Sequence, residues 1–200
     1  QQFRKKSFDL KQLITWIVLS DPYALSSRTN SSNETIDDPL LGETPKFSRF
    51  YIRQMRAEEL YESLITATSA DQGRGSYEDQ EKRKSQWLSQ FIVAFGNDEG
   101  GEQTSFNGTI PQALMMFNGD LVKQATKNDG GGFLDQLAKS NLNNTQKINY
   151  LFEAAFARRP AKKEVEVANK LLVARKGDLT GALQDIWWAV LNSNEFILNH

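Results

Sequence analysis

Apolar side chains recur three and four positions apart along most of this chain, a spacing that suits short helices laid side by side and little else. Leu10, Leu13, Ile14, Ile17 and Val18 form the first stripe, Ala57, Leu60, Tyr61, Leu64 and Ile65 the second, and Leu88, Phe91, Ile92 and Phe95 the third. Ile110, Ala113, Leu114 and Phe117 follow, then Phe133, Leu134 and Leu137, then Ile148, Leu151, Phe152, Ala155 and Phe156. Val165, Ala168, Leu171 and Leu172 precede the densest stripe, Leu183, Ile186, Trp187, Val190 and Leu191. No segment alternates apolar and polar residues for long between turn signals, so a sheet is not expected. The spacing predicts an all-α fold, an irregular bundle of seven or eight short helices forming one domain over residues 1–200. Residues 148–200 show no fixed period that would make a solenoid.

Local signals divide the stripes. Thr109 and Gln112 stand at the spacing of a capping box, each side chain able to bond the other's backbone amide. Asn118-Gly119-Asp120 either kinks the helix of Ile110, Ala113, Leu114 and Phe117 or restarts it, Gly177 suits a left-handed helix end, and Ser193 suits the N-cap of a short last turn. Asp21-Pro22 is a stop for the first helix. Phe47, Phe50, Tyr51 and Ile52 either extend the second helix or make a short one of their own. Residues 23–45 and 97–108 read as two long polar loops, a length usually associated with function or mobility.

Composition removes several classes of function. With 24 basic and 25 acidic residues, no long-range field draws the whole chain to nucleic acid or to an anionic membrane, although a local patch is compatible with that balance. There is no cysteine, hence no disulfide, thiol chemistry or covalently attached haem, and the sole histidine is His200. No metal and no cofactor is therefore expected. No apolar run is long enough to insert across a membrane. Asn97, Asp98, Glu99 and Glu102 are close together but lack the ligand spacing of a calcium loop, and Asp37-Asp38 is read in the same way. The Lys82-Arg83-Lys84 run has no interleaved aromatics and reads as a solvated helix face, while the glycines at 73–75 and 130–132 match no nucleotide fingerprint.

Carboxylates remain as candidate acids and bases. Glu58 and Glu59 sit in a first helical turn, where they favour the helix dipole. Asp185 and Glu195 flank Trp188, Asn192 and Asn194, but ten residues along a helix is about 15 Å, too far for two cooperating carboxylates. Trp187 and Trp188 are adjacent, so one helical stripe cannot bury both, and one of them must face a second helix layer, a partner or a ligand. Trp16 and Trp87 read as core.

QALMMFNGDLV at 112–122 and GALQDIWWAVLNSNEFILNH at 181–200 are apolar at helical spacing yet interrupted by polar residues at particular places. They resemble the conserved C-terminal domain of large planctomycete extracytoplasmic proteins, domain of unknown function 1553. Residues 8–27, 53–68 and 148–172 extend the resemblance in the family's order. The resemblance implies a bacterial, extracytoplasmic (periplasmic or cell-surface) multidomain protein of which this chain is a fragment, often carrying a cytochrome c domain as well. The family has no established activity. Arg53, Arg56, Arg158 and Arg159 lie in the family-like segments, where they either bind helix-end carbonyls or grip a carboxylate of a neighbouring domain. The resulting expectation is a non-catalytic interaction module whose candidate surface comprises Arg53, Arg56, Arg158, Arg159, Trp188, Asn192 and Glu195. Its partners would be other domains of the parent chain. The alternative is a polysaccharide-binding or polysaccharide-degradation-associated domain with its site centred on Trp188.

Overall fold

The densest apolar stripe is also the most completely enclosed. Leu183, Ile186, Trp187, Val190 and Leu191 are all buried, and they lie on one side of a helix running Leu179–Leu191. The computed structural model describes residues 1–37, 44, 46–72, 75–96, 109–128 and 132–199. The loop expected at 97–108 lies outside them with Asn97, Asp98, Glu99 and Glu102, as do 38–43 and 45 of the first loop, Gly73, Gly130, Gly131 and His200.

The described residues form short helices: α1 (Gln2–Lys5), α2 (Leu10–Val18), α3 (Asn33–Ile36), α4 (Ala57–Thr68), α5 (Tyr77–Phe95), α6 (Ile110–Asn118), α7 (Asp120–Ala125), α8 (Phe133–Lys139), α9 (Asn144–Phe156), α10 (Lys162–Ala174), α11 (Leu179–Leu191) and α12 (Asn194–Ile197). Two strands of two residues each, β1 (Arg53–Gln54) and β2 (Leu198–Asn199), are the only extended elements among them. The fold is all-α. Contacts divide the described residues into two compact units, 1–53 and 54–199.

The carboxy-terminal unit holds the hydrophobic core. α4 packs on α5, α7 and α9, while α11 packs on α8, α9, α10 and α12. Leu60, Leu64, Phe91, Leu121, Ile148, Leu151 and Trp187 are among the most fully enclosed side chains. The helix ends are capped as the sequence predicts. Thr109 Oγ1 accepts from the Gln112 N–H (3.4 Å) while Gln112 Oε1 accepts from the Thr109 N–H (3.0 Å), and Ser193 Oγ accepts from the Phe196 N–H. Gly177 takes a positive φ of 96° beyond the end of α10. The chain restarts at Gly119, where an added Cβ would collide with the Met115 carbonyl and thioether. The buried Lys147 donates from Nζ to the Ala138 carbonyl (2.7 Å), satisfying an acceptor at the end of α8.

The amino-terminal unit is built differently. Asn33 and Asp37 are its buried residues among those described, and both are polar. Asp37 accepts from the Lys46 N–H (2.9 Å), the Ser48 N–H (2.8 Å), the Ser48 hydroxyl and the Tyr51 hydroxyl. Burial pushes the Asp37 carboxyl up, but these donors outweigh it and hold the group well below the usual carboxylate range. This hub explains why Phe47, Phe50, Tyr51 and Ile52 form no helix: the chain winds around one carboxylate, with the Phe47 and Tyr51 rings 5.5 Å apart.

Three further expectations need correction. No residue of α2 is buried, and Trp16 is 37% exposed, so the first stripe is formed but is not core. In α6 the stripe assigned to the core faces outward, and Met116 is the buried residue. The first helix ends at Val18, ahead of Asp21-Pro22, which opens a 3-10 turn over Asp21–Ala24.

Candidate interaction surface

α6 is apolar on more than one side, so its spacing alone does not choose which side turns inward. Its capping box and the restart at Gly119 hold it against α5 and α7 with Met116 inside. That orientation leaves Ile110, Leu114 and Phe117 outside, 78%, 56% and 47% exposed, within an arc of about 60° on one helix face. The Phe117 ring then meets Trp188 of α11, with centroids 5.5 Å apart and planes tilted by 39°. Trp188 is itself 39% exposed. Four large apolar groups thus form one outward ridge, and the sequence alone marked only Trp188.

The adjacent indoles perform matching tasks at two depths. Trp187 is fully buried against Phe133 (5.0 Å between centroids), and its Nε1–H donates to the carbonyl of Ala125, the last residue of α7 (3.2 Å). Trp188 donates from Nε1 to the Phe117 carbonyl near the end of α6 (3.4 Å). Each indole therefore supplies a donor to a helix end that has lost its own. Asn192 turns its Nδ2 to the Trp188 carbonyl (2.8 Å), and its Oδ1 is buried without a partner. The indole N–H and the Asn192 amide nitrogen are thus directed at backbone, and the ridge presents hydrocarbon and ring faces.

Arg158 and Glu195 are brought together. Arg158 Nε and Nη2 donate to the two Glu195 oxygens, each at 2.6 Å, and Nη1 and Nη2 donate to the two Glu164 oxygens at 2.9 and 2.8 Å. The guanidinium also lies over the Phe156 and Phe152 rings, 5.2 and 5.7 Å from their centroids. It ties the end of α9 to the start of α10 and to α12. The Glu164 carboxyl is lowered first by the Arg158 hydrogen bonds, against burial, with help from the Ala161 N–H. Arg158 is raised by the same two carboxylates. Glu164 was not singled out in the sequence, although its place in the first turn after Arg158-Arg159-Pro160 is a usable signal.

The other candidates are dispersed. Arg159 is exposed and reaches Glu153 (3.2 Å). Arg56 is exposed before α4, where its backbone N–H donates to Glu59 (3.0 Å). Arg53 is exposed and belongs to the amino-terminal unit. Asp185 is held by Arg175 in a two-point pair at 2.7 Å, separately from Glu195.

Short capped helices around an apolar core, with an aromatic ridge left outside, define an all-α module. The chain belongs to the PSD1 family, described as protein of unknown function (DUF1553), whose sequence pattern matches residues 1–106. No curated protein and no solved structure matches the chain.

Proposed function

We propose that this chain is a non-catalytic helical interaction module of a larger exported bacterial protein, and that the ridge of Ile110, Leu114, Phe117 and Trp188 is where its carboxy-terminal unit meets another domain of the parent chain. The observation that carries the reading is the ridge itself. Four large apolar side chains grouped on one surface mark an interaction site far better than apolar residues scattered singly. Aromatic anchors of this kind dominate the energetics of protein contacts. Extracytoplasmic placement and a cytochrome-containing partner domain follow from the family resemblance and are part of the proposal. Arg158 and Glu195 serve the module from within, because each has its charge partner in the same unit.

The test is a photoreactive cross-linking residue at position 114 of the full-length parent protein. Adducts to residues outside this chain are expected, and they should weaken when Trp188 is replaced by Glu. Absence of such adducts would defeat the reading. If W188A instead abolishes binding to a soluble glycan without altering cross-linking or stability, the surface serves polysaccharide.

A further inference from the structure

The amino-terminal unit carries a second apolar surface, in a different chemical setting. Asp9 caps α2, accepting from the Gln12 N–H at 3.1 Å. Leu10, Ile14 and Ile17 then project within an arc of about 60° and are 67%, 59% and 50% exposed. Val18 and Leu13 flank them, Trp16 stands at the edge, and Val18 and Trp16 are also exposed. The turn before α2 is held by Ser7 and Phe8 at positive φ, with the Phe8 ring edge-on to Phe3 at 5.3 Å. Phe8 is a further exposed aromatic beside the stripe.

Charge is the second and independent observation. Residues 1–20 contain Arg4, Lys5, Lys6 and Lys11 against Asp9 alone, a net of 4 − 1 = +3 in a chain whose total is −1, so the other 180 residues carry −4. The one acidic side chain of the segment is engaged as the N-cap. A cationic stretch joined to an exposed apolar helix face with aromatic edges suits the surface of an anionic bilayer: the hydrocarbon enters the headgroup boundary and the cations remain at the phosphates. Nine residues span only about 14 Å, less than half of a hydrocarbon core, and no described helix is long and apolar enough to cross a membrane. The geometry allows lying on the bilayer and not spanning it.

We infer that α1, the turn after it and α2 form an element that binds anionic lipid surfaces. This is independent of the ridge on α6 and α11.

The test is co-sedimentation of the full chain with phosphatidylcholine vesicles containing roughly one quarter phosphatidylglycerol, compared with phosphatidylcholine alone. Partitioning to the anionic vesicles should be at least about tenfold stronger and should fall as salt rises from about 50 to about 500 mM. The double variant Ile14→Glu, Ile17→Glu should lose about tenfold or more while keeping its circular dichroism spectrum, and Arg4→Gln, Lys5→Gln, Lys6→Gln should lose the preference for the anionic lipid. W188E should bind vesicles like the parent chain, which separates this proposal from the ridge. No sedimentation, equal binding to neutral vesicles, or binding untouched by the Glu pair would each overturn the inference. So would a lipid-free dimer, seen by analytical ultracentrifugation and broken by the Glu pair, because a second copy would then cover the face.

Discussion

Trp187 and Trp188 are chemically identical neighbours with different surroundings, and the difference is measurable. Trp187 is fully buried, packs against Phe133 and satisfies the Ala125 carbonyl, so W187A should cost about 3–5 kcal/mol in chemical denaturation. Trp188 keeps more than a third of its surface and contacts Phe117, so W188A should cost clearly less in the same assay. Equal, large losses would show that the ridge is core. Arg158 offers a pH test. Glu164 lies below its ordinary 4.5 in the folded chain, mainly through the Arg158 hydrogen bonds, so its contribution is complete above that value and disappears as the pH falls through the lower folded value. The stability gap between the parent chain and E164Q should therefore narrow as the pH falls below the ordinary 4.5, the direction expected for a depressed carboxyl. Both groups are partly exposed, so the gap at neutral pH should be modest, about 1–2 kcal/mol after allowing for solvent screening. A gap that stays constant on acidification would show that the ion pair is not its source.

At the scale of elements, the junction of α6 and α7 sets how the ridge is presented. Gly119 leaves no room for a Cβ beside Met115, so G119A must shift one helix end and should cost about 1–3 kcal/mol, read as a lowered midpoint in urea. Its partner test is T109A, which removes the N-cap of α6 and should cost about 1 kcal/mol. These punctuation marks were legible in the sequence because capping and glycine geometry are local. The stripe of α11 was legible too, since its polar residues leave one apolar side to bury. α6 misled because Met115 and Met116 rival Ile110, Leu114 and Phe117 in hydrophobicity, and periodicity gives a side without saying what faces it. α2 misled for the same reason: Leu10, Ile14 and Ile17 have the spacing of a core helix, but no described element of their unit buries them. The Asp37 hub was hidden because its donors come from residues 46–51, nine to fourteen positions away, and hydrogen bonds leave no periodic trace.

For the whole molecule, the two units differ in what holds them. Among the described residues, 54–199 contribute every buried hydrophobic residue of the core, whereas 1–53 buries Asn33 and Asp37 and is held by hydrogen bonds, four of them to the Asp37 carboxylate. Apolar burial is the principal source of cooperative stability, and individual hydrogen bonds add about 1 kcal/mol each. The units should accordingly open at different free energies. Native-state hydrogen exchange should show the amides of α2 exchanging on the order of a hundredfold faster than those of α4, α9 and α11. D37N should accelerate exchange at the Lys46 and Ser48 amides, which donate to that carboxylate, while leaving α11 unchanged. Anionic vesicles should slow α2 alone if its exposed face is what they cover. Equal protection in α2 and α11 without lipid would mean that the amino-terminal unit is stabilised by apolar burial after all. The polar hub would then be secondary, and the exposed stripe would no longer need an outside partner.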